Sequence, residues 1–171
     1  TEESRPAQIS WRTLLPQGVD NLIVPVCLSA THVAWGAVRL EPVWMMTGEA
    51  AGLGAALAKR QGTTPGKLDA DLLVRALCEK RHFVSFFNDL EVAAGHPAMP
   101  AAQYFATRGF FPDYNARLDE PLTESVRRVW DEGLATLRED RLDVMTFAKQ
   151  VRQAKADDSP QLERTRGEAM L

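Results

Sequence analysis

The stretch PVWMMTGEAAGLGAALAKR, residues 42–60, decides how the chain is organised. Pro42 suits the first turn of a helix, where its missing N–H is no loss, and Gly62 stands just past Arg60 as a stop signal. The spacing therefore predicts a helix over 42–60. One face of it is unusual: Gly48, Gly52, Ala55 and Ala56 fall at i, i+4, i+7 and i+8, so that side is nearly bare of side chains. Each interior glycine costs roughly 1 kcal/mol relative to alanine, so the face implies close approach by another backbone or a flat ligand. The competing reading is a helix packed closely for stability alone.

Working upstream, Leu22 to Leu28 is a near-continuous apolar run, as expected of a strand covered on both faces, with Pro25 marking an edge or an interrupted ladder. Before it, Ile9, Trp11 and Thr13 alternate with Ser10, Arg12 and Leu14 as in a short strand ending at Pro16, and residues 17–21 form the turn. Two short strands cannot make an independent sheet. Residues 1–62 thus read as the closing segment of a larger sheet whose other strands are absent or come from another chain. Downstream the apolar period becomes helical. Turn residues 63–66 lead to helices over Asp69–Lys80, Pro97–Arg108 with Gly109 closing, and Glu124–Arg138 with Thr123 as N-cap, then one starting after Asp143. Residues 63–157 read as a helical extension and the polar residues 158–171 as a frayed tail. The fold class is mainly α: two short strands and a Gly-rich helix that close a larger α/β domain, followed by an all-helical extension.

Composition narrows the function. The chain has 171 residues, 45% hydrophobic and 25% charged, with 20 basic against 23 acidic side chains and a net charge of −3. This is a globular composition with no electrostatic footprint for nucleic acid. The most apolar window, residues 42–58, contains Glu49 and three glycines and is too short and polar to span a bilayer, so a soluble protein is expected. Cys27 and Cys78 have neither metal-ligand spacing nor a disulfide framework and read as buried thiols. No signal peptide is visible, and a start at Thr1 without Met suggests a mature end or a cut piece of something longer.

Between the second strand and the Gly-rich helix lies a loop, residues 29–42, that carries His32, Arg39 and Glu41 and is the best functional candidate. Bland readings stand beside it: a structural His32, and a surface ion pair between Arg39 and Glu41. The block Leu15-Pro16-Gln17-Gly18-Val19-Asp20-Asn21-Leu22-Ile23-Val24, then Ser29-Ala30-Thr31-His32-Val33-Ala34 with Gly36, Val38, Arg39 and Pro42, then Met46, Gly48, Ala50-Ala51-Gly52 and Ala55-Ala56, resembles the C-terminal end of a family of FAD-dependent oxidoreductases of the glutathione-reductase-like flavoprotein class. More loosely, Gln103 to Phe111 with Leu122-Thr123 resembles a helical extension found after the flavin domain in some members.

The resemblance implies that residues 22–28 return to the nucleotide-binding sheet and that the following helix aims its N-terminus, Pro42, Val43, Trp44, Met45 and Met46, at the pyrimidine end of the flavin. There the positive end of the helix dipole would stabilise charge that builds on reduction. It further implies that Arg39 holds a substrate carboxylate or oxyanion and that His32 exchanges a proton. Two departures stand out. Pro25-Val26 replaces the Gly-Arg of many members, and the G-x-G-x-x-G fingerprint that seats the pyrophosphate is absent, since the cluster Gly48 to Gly54 lies inside a helix. The expectation is therefore the C-terminal portion of an FAD-dependent oxidoreductase, partnered by the N-terminal nucleotide-binding portion of the same protein and a small-molecule substrate. FAD is expected in the full-length protein and not on this piece alone, which would be inactive, and no metal, nucleic acid or membrane is expected. A non-enzymatic helical interaction module is the alternative.

Overall fold

The computed structural model describes residues 7–90, 95–155 and 160–171. The chain divides into two compact units, Ala7–Glu79 and Lys80–Leu171. Among the described residues there are seven α-helices and one pair of short strands.

The first unit holds a 3-10 turn, Trp11–Leu14, then α1, His32–Val38, α2, Glu41–Arg60, a second 3-10 turn, Pro65–Lys67, and α3, Ala70–Glu79. The buried stripe of α2 is Thr47, Ala51, Gly54 and Ala58, at i, i+4, i+7 and i+11. Gly54 is needed there because a Cβ would lie 2.6 Å from the Trp11 ring. Ala58, Leu68 and Leu73 are the buried centre, with Trp11, Leu53, Leu57, Leu72 and Leu77 packed around them. The helix at 69–80 thus packs on α2, and the compact unit ends at residue 79 rather than at the change in apolar period near residue 62.

Neither expected strand forms. Residues 11–14 wind into the 3-10 turn, and residues 22–28 run without regular structure. The reason is the missing neighbour: a strand's backbone groups need partners on adjacent strands. Here the two segments share only isolated bonds, Val24 N–H to Leu14 O at 2.8 Å and Ser29 N–H to Thr13 O at 2.8 Å. Leu14 and Leu28 are buried, but Leu22 is 47% and Val26 41% exposed, which a doubly covered strand would not allow.

In the second unit α4, Met99–Thr107, is followed by β1, Pro121–Thr123, α5, Glu124–Arg138, α6, Val144–Lys155, β2, Gln161–Thr165, and α7, Arg166–Met170. Its core gathers Met99, Phe110, Leu122, Trp130, Phe147 and Val151, with the Trp130 Nε1–H donating to Phe110 O at 2.9 Å. α5 lies against α6 so closely that a Cβ at Gly133 would meet the Phe147 ring at 2.3 Å. Gln103, fully buried on α4, accepts from Val84 N and Ser85 N at 2.9 and 2.6 Å and donates to Ser85 O at 2.9 Å, which pins the segment entering the unit.

In the expected frayed tail, 158–171, residues 158 and 159 lie outside the described residues, while residues 161–170 carry regular structure. β2 pairs antiparallel with β1, Pro121 opposite Thr165 and Thr123 opposite Gln161. α7 is fixed by a capping box in which Thr165 and Glu168 satisfy each other's backbone amides. Thr123 occupies the N-cap of α5 but its hydroxyl does not cap it. Asp143 does cap α6, accepting from Met145 N, Thr146 N and the Thr146 hydroxyl; these bonds hold its carboxyl below the ordinary range.

Candidate functional site

The segment that the sequence reads as a loop contains a helix. Thr31 accepts a hydrogen bond from Ala34 N at 3.2 Å, and α1 runs from His32 to Val38. His32 opens this helix and Arg39 closes it as C-cap, its N–H bonding Trp35 O. Seven residues apart, the two fall on one side of the helix but roughly 10 Å apart along its axis. They can flank a substrate. Both side chains are exposed, as is Glu41, and none of the three makes a hydrogen bond or ion pair among the described residues. The surface ion pair between Arg39 and Glu41 is thus not formed.

Leu40 turns the chain into α2. It is the N-cap, in extended conformation, and lends no side chain to the helix start. Glu41 and Pro42 follow as the first two helical residues, one residue earlier than the sequence places the start. Pro42 carries no N–H, and Trp44 N–H bonds Leu40 O at 3.1 Å. The donors left over in the first turn are therefore the amides of Glu41 and Val43. The sequence reading passes over the Glu41 amide, although proline in the first turn is the signal for it.

The two helices meet through Trp35 and Trp44, whose ring centroids lie 6.4 Å apart. The Thr47 hydroxyl ties α2 to the irregular segment by donating to Pro25 O at 2.9 Å. Around this corner the apolar surface is uncovered: Val33 is 85%, Leu40 54%, Met45 72% and Met46 40% exposed. The small face of α2 is uncovered too, since a Cβ at Gly48 or Gly52 would meet nothing within 4 Å, as is also true at Gly36 on α1. The indole Nε1 of Trp44 is enclosed without a partner.

Elsewhere the chemistry is sparse. Cys27 is exposed, because the strand meant to bury it does not form, while burial pushes the Cys78 thiol up to about 12. Among the described residues no group of three His, Cys, Asp or Glu side chains is placed to hold a metal, and no helix is long and apolar enough to cross a membrane. An open groove of about 510 Å³ in the second unit is lined by Ser125, Arg128, Glu132, Gln150 and Gln153.

A family model described as FAD dependent oxidoreductase matches residues 2–77, a little under half of the chain and nearly the same span as the first compact unit. The chain is similar to that family over those residues. Comparison with curated proteins and with solved structures finds no match.

Proposed function

We propose that residues 7–60 complete the flavin site of an FAD-dependent oxidoreductase, whose pyrophosphate-binding glycines lie outside these 171 residues. The observation that supports this reading is a coincidence. The residues similar to the family make up a unit whose helix start and small helix face are both left uncovered.

The residues fit the cofactor. The first turn of α2 has no side-chain cap, so the amides of Glu41 and Val43 are available to an electron-rich edge, and Pro42, Trp44, Met45 and Met46 supply an apolar surround. FAD, when bound, supplies the acceptor for a hydride. The chain's own contribution is positioning. Arg39, at the corner between α1 and α2, holds an anionic group of the substrate through its planar fork, and His32, at the far end of α1, is within reach of a substrate longer than a single small group to take or give a proton. The uncovered face of Gly48, Gly52, Ala55 and Ala56 receives the nucleotide-binding portion at close range. The piece alone, lacking the pyrophosphate site, holds no flavin and is inactive.

The test is kinetic, in the protein that carries the nucleotide-binding portion. One flavin per chain is expected. Arg39→Lys keeps the charge but not the two-pronged geometry, and should lower kcat/KM about ten- to a hundredfold at unchanged flavin content. Glu41→Gln should stay near the parent. Parental turnover in both variants would return Arg39 to a solvated surface, and purified protein without flavin would remove the reading as a whole.

A further inference from the structure

Arg166 opens α7 and is only 6% exposed, yet its guanidinium makes no hydrogen bond or ion pair among the described residues, and its Nε is enclosed without a partner. A buried charge left unpaired is strongly unfavourable, so a chain tolerates one where something else pairs it. The backbone around it is firmly held: Arg166 N–H donates to Glu120 O at 3.1 Å and Gly167 N–H to Leu118 O at 2.8 Å. The guanidinium is thus fixed in place by its surroundings and not stranded on a loose end.

The neighbouring carboxylates Glu120, Asp113 and Asp89 favour its charge from a distance, but none of them hydrogen-bonds the guanidinium among the described residues. Asp89 accepts Ala116 N at 2.7 Å and Arg117 N at 2.8 Å, and this holds Arg117 at φ +50°, a backbone state that side chains rarely adopt. Asp113 is occupied by Arg117 at 3.1 Å, by Asn115 N at 2.9 Å and by Lys155. Glu120 leans toward Arg117 at 3.8 Å and is exposed. Desolvation first, and then the charge of Arg117, hold the Arg166 pKa below its ordinary value. Arg117 thus acts against the Arg166 charge while Glu120, Asp113 and Asp89 act for it, yet the hydrogen bonds of Asp89 and Asp113 go to other donors and Glu120 faces solvent.

We propose that Arg166, with Arg117 near it, binds a small oxyanion, a carboxylate or inorganic phosphate, that comes from outside this chain. The planar fork of donors matches both chemistries. The anion neutralises the buried charge and locks α7 onto the turn at 117–120, so binding stabilises the pairing of β1 with β2.

The test follows thermal unfolding and amide exchange of the 171-residue chain in chloride, in phosphate and in succinate at equal ionic strength. Phosphate or succinate should raise the midpoint by roughly 5 to 10 °C at about a hundredfold excess over its dissociation constant, and should slow exchange in β1, β2 and α7. A response to one alone identifies the class. Arg166→Met should lose the response yet unfold in chloride no lower than the parent, because an apolar side chain replaces an unpaired charge. Arg166→Lys, which keeps the charge without the fork, should lose most of the response. The proposal is overturned if neither anion shifts the midpoint, or if the shift survives in Arg166→Met. It is also overturned if Arg166→Met and Glu120→Gln both unfold earlier than the parent in chloride, since the guanidinium is then paired within the chain.

Discussion

A methyl group has opposite effects at Gly52 and Gly54, two residues apart on the same helix. At Gly54 it meets the Trp11 ring at 2.6 Å, whereas at Gly52 it meets nothing within 4 Å. Gly54→Ala should therefore destabilise the chain by about 1 to 3 kcal/mol through overpacking, while Gly52→Ala should stabilise it by about 0.5 to 1 kcal/mol through helix propensity. Urea unfolding of the two variants reads both signs. A charged side chain gives a second prediction. Burial raises the Asp113 carboxyl, but hydrogen bonds from Lys155, the Asn115 amide and Arg117 outweigh it and hold the group well below the usual carboxylate range. A depressed folded pKa contributes stability above the unfolded value of about 3.9, and that contribution is lost as pH falls through the folded value. The stability of the parent should fall steeply below about pH 4, and Asp113→Asn, measured over the same range, should flatten the slope. An unchanged slope would mean that the ion pairs of Asp113 are solvated and contribute little.

The amphipathic elements were the legible ones. α2, α3, α4, α5 and α6 lie within a few residues of where period and cap signals put them, because each carries its own apolar stripe. The strands at 9–14 and 22–28 were not legible as non-strands. Their composition suits a sheet, but a sheet is a long-range object, and this chain offers those backbones only isolated hydrogen bonds. α1 escaped notice because seven residues with Gly36 and β-branched Val33 and Val38 give a weak signal, although Thr31 marks its start. Polarity alone predicts a frayed tail where β2 and α7 form, yet the Thr165-x-x-Glu168 capping box marks a helix start. The sequence names His32 and Arg39 as candidates, while the helix that sets them two turns apart is not legible in it. The uncovered face of α2 also gives a prediction at this scale. Gly48→Ala and Gly52→Ala, stabilising in the 171-residue chain, should lower flavin content in the protein carrying the nucleotide-binding portion if that portion packs against the face. Absorbance per chain measures it, and full flavin content in both variants would leave the small face without a partner.

The two units differ in what holds them together. Among the described residues, the core of Lys80–Leu171 gathers fifteen buried apolar residues, including Phe110, Trp130 and Phe147, whereas that of Ala7–Glu79 centres on Ala58, Leu68 and Leu73. Burial of apolar area is the main source of stability, at about 25 cal/mol per Å², so the first unit has much less to draw on. It also leaves Val33, Leu40 and Met45 in solvent around the corner between α1 and α2. The expectation is unequal protection: backbone amides of α4, α5 and α6 should exchange by global opening, and those of α1 and α2 by a lower-energy opening confined to the first unit. Mass-spectrometric amide exchange in rising urea would resolve the two as separate steps, and a single step with equal protection in α2 and α5 would show the first unit to be as well supported as the second. The proposed nucleotide-binding portion gives a test at this scale. If it covers the small face and the start of α2, protection should rise most in α1 and α2 and hardly at all in α5 and α6. A rise spread evenly over both units, or none, would mean that the surface left open on the first unit is not where that portion binds.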